Sequence, residues 1–395
     1  MENIRVAFVI ESFSPDTGGG ENSARVLADK LTEKGCNISV ISKRFDSKNP
    51  ALNHIKVVSC GFSRLLDRIL FALHTAWIVR SKQINIIFSF GKNFSMDIYR
   101  PGGGVHAAYK AYNRRSYHRK IYRMCQAFRD IISPEQWFLS WLENKQYSSR
   151  RLKIVIAVSN MVKRHIRKWY KIDGRKIEVI HNGVDIERFS PNKKENTGAV
   201  VRRELHLLDE IIILFVANNF RLKGLRTLLL ALASLEASVR EPVRLLVVGK
   251  GKLKRWKQLA LILGVEKNVL FLGMQKNIES IYSASDIFVL PSFYDPCANV
   301  CLEALASGLP VISSSSNGSS EIIEEGKQGY VIKDSSDYLS FASKMNFLIK
   351  NKQTRIEMGA KARELAEKYS IESRVDIITS LIKFVASSNE DNIPR

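Results

Sequence analysis

Between residues 211 and 290, short apolar runs alternate with longer segments of helical spacing, and this alternation restricts the chain to very few architectures. Ile211 to Val216 is an unbroken run of β-branched and large apolar residues. The largely polar loop Asn218-Asn219-Phe220-Arg221-Leu222-Lys223-Gly224 follows and opens a helix over Leu225 to Leu235. Arg244 to Val248, Val269 to Leu272 and Ile287 to Leu290 repeat the strand, each separated from the next by helical spacing. A strand that is apolar on both faces must be covered on both sides. Helices between consecutive strands supply that cover, so the strands lie parallel in one sheet. Ligands of such sheets bind beyond the strand C-termini. The loops after Val216, Val248, Leu272 and Leu290 all leave that edge, which allows Arg221, Lys223, Gly249 and Glu303 to converge.

The last of these loops leads into Pro291 to Glu321, where the carboxylate Glu303 lies in the apolar run Val300 to Ala306. Helical spacing predicts one polar line through Asn299, Glu303 and Ser307, with Val300, Cys301, Ala304 and Leu305 turned toward a core. Asp295, in the turn Tyr294-Asp295-Pro296, lies eight residues earlier, so two acids flank one helix end.

The first half reads the same way, with Met1 to Ile10 as an opening strand. Glu11 to Thr17 and three glycines, Gly18 to Gly20, precede a helix over Glu21 to Lys34. Gly35 stops it, and a strand runs over Ile38 to Ile41. The glycines do not make G-x-G-x-x-G, because the last required position is Ser23. Gly19 and Gly20 are either ligand contacts or a plain tight turn. Strands are expected over Ile55 to Val58 and Ile84 to Phe90. A second glycine turn, Gly102 to Gly104, then leads to His106, a position where α/β proteins place ligand groups. His181-Asn182-Gly183-Val184-Asp185 reads as a hinge between halves, with Asn182 a substrate-binding candidate beside Asn299. The segment Pro191 to Thr197 is polar and poorly patterned, and from Ser335 the chain is helical to about residue 386, with a polar tail ending at Arg395.

The formal net charge is +22, and it is uneven: Lys110 to Arg175 holds 17 Lys and Arg against four acids, Asp130, Glu135, Glu143 and Asp173. That stretch, with its interleaved tyrosines and tryptophans, suits nucleic acid, an anionic membrane surface or a phosphorylated glycolipid, against the plain alternative of a solvated basic face. No apolar stretch is long enough to span a bilayer, and no secretory leader opens the chain, so a cytoplasmic location is expected. The five scattered cysteines argue against a disulfide framework. Cys297 and Cys301 lack the partners that would complete a metal site.

The order HNGVD, FVANNFRLKG, VVGKGK, FLG, SDIFVLPSFYDPCANVCLEALASGLPV, NGSSEII and GYVI resembles the retaining glycosyltransferases of the glycogen-synthase-like superfamily, glycosyltransferase family 4. In the first half, YRPGGGVH and the basic helical segment after it look like bacterial glucosyltransferases of lipopolysaccharide core assembly. The resemblance implies an α/β GT-B fold, two Rossmann-like domains with parallel sheets facing across a cleft. Residues 1–178 would form the acceptor-binding domain and residues 179–371 the nucleotide-sugar domain, with residues 372–395 a helix crossing back to the first domain, plus the tail. It implies that Asp295 contacts donor-sugar hydroxyls and Glu303 the ribose. Asp295 stands where the family pattern usually has Glu. Lys223 and Arg221 fall on the basic pair that neutralises the diphosphate, and His106 on a histidine that faces the donor sugar.

These positions suit departure of a nucleoside diphosphate, whose growing negative charge fixed cations stabilise without metal. The sequence shows no D-x-D pair on a strand end of the kind a metal-bridged diphosphate favours. The expected activity is transfer of a hexose, glucose from UDP-glucose, with retention and without a cofactor. The acceptor would be a lipopolysaccharide core heptose on a phosphorylated glycolipid at the inner face of the cytoplasmic membrane. Two other readings stand beside it: transfer of mannose, galactose or N-acetylglucosamine, and a non-catalytic basic adaptor on membrane or nucleic acid. No specific nucleic acid is expected as partner in the leading reading.

Overall fold

The structure, a computed structural model, describes residues 4–14, 18–82, 84–207 and 209–390. Met1 to Asn3 of the expected first strand, Pro15 to Thr17 of the first loop, and the tail ending at Arg395 lie outside the described residues. The chain divides into two compact units. One comprises residues 1–114, 119–182 and 371–395, and the other residues 115–118 and 183–370.

The second unit carries the strand–helix alternation of residues 211–290. Its six strands are parallel, in the spatial order Val269–Gly273, Val243–Val248, Ile211–Val216, Ile287–Leu290, Val311–Ser314 and Gly329–Ile332. Chain order runs outward from Ile211–Val216 in one direction and then, after a jump, in the other. The carboxyl ends of Ile211–Val216 and Ile287–Leu290 therefore flank the point where the winding reverses. Loops part at such a point and leave room for a ligand. Strand and helix residues such as Ile213, Leu245, Phe288, Leu228 and Leu305 are fully buried in one core.

Close backbone approach explains two glycines. Gly224 has φ +81°, and a Cβ there would meet the Pro291 carbonyl oxygen at 2.0 Å. Gly249 has φ +124°, and its Cβ would lie 1.9 Å from the Ala217 carbonyl oxygen. The polar segment after Pro191 is more regular than its sequence suggests. A 3₁₀ turn, Pro191–Lys193, a π-helical turn, Lys194–Gly198, and the helix Ala199–Glu204 run in succession. Packing of Gly198 supports them, since a Cβ there would sit 2.5 Å from the Ser283 carbonyl oxygen.

The first unit contains a seven-stranded parallel sheet in the order Asn53–Lys56, Asn37–Ser42, Arg5–Val9, Ile86–Ser89, Ile98–Tyr99, Ile154–Ala157 and Ile177–Val179. Gly19 and Gly20, expected in a loop, are the first residues of the helix Gly19–Glu33, with Gly18 at its N-cap. The basic stretch forms the helices His106–Arg115, Lys120–Ile132, Pro134–Tyr147 and Asn160–Trp169. The last helix, Ile371–Glu390, belongs to this unit. Val375, Ile378, Ile382 and Val385 keep helical spacing and join Ala24, Leu27, Ala28 and Leu31 in its core. At the N-terminal end of that interface, Lys34 forms an ion pair with Asp376.

The glycine geometry predicts unequal costs. Gly249→Ala forces both a left-handed backbone and an overlap with the Ala217 carbonyl, so it lowers stability by on the order of 3 kcal/mol. Gly264→Ala, at φ +66° with open space around the new Cβ, carries only the backbone term of about 1–2 kcal/mol. Thermal unfolding of the two variants checks the difference.

Candidate functional site

The site is built where the two loops at the reversal point of the second sheet are tied together. After Ile211–Val216, residues 219–224 fold as a tight turn: the Leu222 amide donates to Asn219 Oδ1 at 3.2 Å and the Lys223 amide to the Asn219 carbonyl at 2.9 Å. The left-handed Gly224 then starts the helix Leu225–Ala233. After Ile287–Leu290, the chain passes over Gly224, and the Phe293 amide donates to the Leu222 carbonyl at 2.8 Å. Only a residue without Cβ allows this crossing, and the crossing brings Lys223 to Asp295.

Lys223 and Asp295 form an ion pair, largely shielded from solvent, and Lys223 Nζ also donates to the Tyr294 carbonyl at 3.3 Å. An ammonium has three donors, so one remains for an anion held beyond the loops. The other carboxylate oxygen of Asp295 accepts from the Cys297 amide at 3.2 Å. The Asp295 backbone is fixed as well: its amide donates to the Ser316 carbonyl at 3.0 Å, and its carbonyl accepts from Gly318 at 2.8 Å. A carboxylate held by a cation, an amide and its own backbone is pre-oriented.

Four residues further on begins the helix Asn299–Ala306, whose N-cap, Ala298, offers no side-chain acceptor. Such an end favours an anion. Glu303 lies in this helix, half-buried. Its Oε2 accepts from the Tyr282 hydroxyl at 2.8 Å, and that hydroxyl also lies 3.2 Å from the Val300 carbonyl. Burial pushes the Glu303 carboxyl above its ordinary range, opposed by the Tyr282 hydrogen bond and the charge of Arg188. Burial, and then the Glu303 charge beside it, push the Tyr282 phenol up as well. The expected polar line is only partly present. Asn299 and Glu303 are half-buried on one face, but Ser307 is buried at the C-cap and Val300 is half-buried. The end of the helix is packed, because the next residue, Gly308, turns at φ +72° against Pro191 and Gly359.

The thiols in and just before this helix are buried packing groups. Cys301 and Cys297 are buried, Asn317 Nδ2 lies 3.1 Å from Cys301 Sγ, and the Ser319 hydroxyl lies 3.4 Å from Cys297 Sγ.

Arg221 stands apart from the Lys223–Asp295 pair. Its guanidinium stacks over the Tyr117 ring, 3.8 Å from the centroid, and bonds the Ser116 hydroxyl, both in the four-residue stretch grouped with this unit. Gly249 is at the expected strand end, but its amide donates to the Gly273 carbonyl at 2.8 Å. The close Ala217 backbone by itself requires glycine here.

In the first unit, His106 opens the helix His106–Arg115, and its amide donates to both carboxylate oxygens of Glu143, at 2.9 and 3.2 Å. Glu143 is fully buried. It also accepts from the Tyr170 hydroxyl at 2.6 Å and faces Lys92 at 3.4 Å. Sequence reasoning passed over it, although a rare acid in so basic a stretch was a signal. Burial and the charges of Lys92 and Lys110 lower the His106 imidazole to about pKa 4, against an opposing pull from Glu143, and its Nε2 is buried without a partner among the described residues. The ring is therefore neutral and has one nitrogen unused. Asn182 Oδ1 accepts from Arg100 Nη2 at 2.8 Å within the first unit. Gly19 and Gly20 supply the opening turn of a helix behind the extended Gly18.

Comparison with known proteins follows the division of the chain. Residues 17–188 match the family described as Glycosyltransferase Family 4, and residues 200–365 match Glycosyl transferases group 1. Spore coat protein SA of Bacillus subtilis (strain 168) is 30% identical over 225 residues, 54% of this chain and 60% of that protein. The chain thus spans about three fifths of that relative's length. Lipopolysaccharide glucosyltransferase WaaG of Escherichia coli (strain K12) is 22% identical over 382 residues, 95% of this chain and 98% of WaaG. A crystal structure of WaaG superposes with a TM-score of 0.81 at 20% identity, covering 95% of this chain and 99% of WaaG. Anabaena HepE in complex with UDP and glucose superposes with a TM-score of 0.71 at 18% identity, covering 96% of this chain and all of HepE.

The His106 environment makes a pH prediction. With the folded pKa depressed to about 4 from the ordinary 6.5, the unfolded chain binds more protons between those values. The stability due to the neutral ring is present above pH 6.5 and is lost as pH falls toward 4. NMR titration of the His106 ring is expected to show a midpoint near pH 4.

Proposed function

We propose that this chain, which has the GT-B glycosyltransferase fold of group 1 and family 4, transfers glucose from UDP-glucose, with retention and without metal, to a lipopolysaccharide core heptose. The observation that carries the reading is the tie between Lys223 and Asp295 at the reversal point of the second sheet, followed directly by the uncapped helix that holds Glu303. HepE, a neighbour in fold, was crystallised with UDP and glucose, and WaaG is named a lipopolysaccharide glucosyltransferase.

The residues divide the work by charge. The free donor of Lys223 and the N-terminal amides of the Asn299–Ala306 helix meet a diphosphate as its leaving charge grows, a stabilisation worth roughly 1.5–3 kcal/mol for each charge-assisted bond. Arg221 adds to it if it leaves Tyr117. Glu303, oriented by Tyr282, accepts from the ribose hydroxyls. Asp295, oriented by Lys223 and the Cys297 amide, accepts from hexose hydroxyls, and its short side chain makes it the residue on which the choice of glucose over mannose, galactose or N-acetylglucosamine turns. His106 offers a neutral ring nitrogen to a sugar hydroxyl. The acceptor attacks from the face the diphosphate leaves, with no protein nucleophile.

The location proposed is the inner face of the cytoplasmic membrane. Among the described residues no helix is long and apolar enough to cross a membrane. The helix Lys120–Ile132 has no buried residue and exposes Ile121, Met124, Phe128, Ile131 and Ile132 beside Arg123 and Arg129. An apolar stripe flanked by cations suits an anionic lipid surface.

Glu303→Ala and Lys223→Ala are each expected to lower turnover of UDP-glucose with a core acceptor by about 100-fold or more, while EDTA leaves the wild-type rate unchanged. Full activity in the Lys223 variant would overturn the diphosphate assignment. Calorimetric screening of sugar nucleotides decides the donor. Phe128→Glu should reduce sedimentation with phosphatidylglycerol vesicles and spare UDP-glucose binding.

A further inference from the structure

The helix Asn160–Trp169 of the first unit has two unlike sides. Met161, Val162, His165 and Ile166 are buried, whereas Asn160, Lys163, Arg164, Arg167 and Lys168 surround an open concavity of about 530 Å3. The four cations make no ion pair or hydrogen bond among the described residues, and Lys168 only lies over the Trp169 ring at 4.8 Å. Elsewhere in the same unit several cations are matched: Lys43 with Glu11 and Asp67, Arg68 with Glu135, Arg114 with Asp130, Arg151 with Asp97.

Spacing makes the contrast informative. Lys163 and Arg167, and likewise Arg164 and Lys168, are four residues apart, so each like-charged pair faces along one helix side and weakens the helix. No acid lies within this helix to relieve the repulsion, and the nearest downstream, Asp173, is engaged by Arg175. The field reaches inward as well. His165, on the buried side, has its pKa lowered to about 4 by burial and by Arg164 and Lys168. A merely solvated face would be better served by alternating signs. Uncompensated cations around a concavity suit a ligand that brings its own multiple negative charges, and guanidinium groups match phosphate oxygens in pairs.

We infer that the concavity ringed by Lys163, Arg164, Arg167 and Lys168 is an anion site for a ligand carrying at least two phosphoryl groups about one helix turn apart. It deepens the reading above by giving the phosphates of the acceptor a place, and it rests on that reading only for the molecule that carries them. Phosphates on a soluble glycan and phosphates in a lipid headgroup share this chemistry.

The test uses the full chain at low ionic strength with UDP present in excess. Tripolyphosphate is titrated calorimetrically, and vesicles of phosphatidylglycerol or phosphatidylcholine are sedimented, with wild type and with Lys163→Glu/Arg167→Glu. The side chains are on the surface, so the thermal midpoint of the variant should match the wild type, and Lys163→Gln/Arg167→Gln provides a milder second variant. The expected result is saturable tripolyphosphate binding that weakens about tenfold or more in the variant. Loss confined to phosphatidylglycerol vesicles assigns the phosphates to lipid headgroups. Unchanged binding of both probes in both variants overturns the site. Failure of UDP itself to bind counts against the donor reading and leaves this comparison standing.

Discussion

The ion pair between Lys223 and Asp295 is the contact on which the second unit's chemistry depends, and it exists because Gly224 lets one loop pass over another. Two residues 72 positions apart meet at the place where a doubly wound sheet reverses its winding. There the loops diverge, and they are held by hydrogen bonds between them as well as by this ion pair and the burial of Leu222 and Tyr294. The Phe293 amide to the Leu222 carbonyl, the Asp295 amide to the Ser316 carbonyl and the Gly318 amide to the Asp295 carbonyl supply that hold. The result is a cation and a carboxylate whose positions are set by the fold itself, as the proposed stabilisation of a leaving diphosphate requires.

The first unit uses a different device for a similar end. Glu143, fully buried, gathers the His106 amide, the Tyr170 hydroxyl and the Lys92 ammonium around one carboxylate. It caps the helix that begins at His106, so the ring leaves a fixed backbone, and burial, aided by the Lys92 and Lys110 charges, lowers the pKa of that ring. Charge that would be costly alone is tolerated because each carboxylate oxygen has a partner.

Much of this was legible beforehand. The strands of the second half appear within a residue or two of their expected ends, because apolar runs covered on both faces are a strong local signal. The expectation that Lys223 and Glu303 lie on loops and helices at one sheet edge follows from the same alternation. What failed was local detail that packing overrides. Gly19 and Gly20 entered a helix, and the polar segment after Pro191 coiled against Gly198. Glu143 and Tyr282 were overlooked because their roles depend on partners far away in the chain.

The amino-acid sequence by itself determined two α/β units with parallel sheets and the loops that carry the charged residues, since periodicity and glycine placement act over a few residues. Only the tertiary structure decided which charges meet. It paired Lys223 with Asp295, gave Glu303 the Tyr282 hydroxyl, and left Lys163, Arg164, Arg167 and Lys168 without acids among the described residues. Such contacts join residues that no local pattern connects, and they are fixed by how closely one backbone can pass another.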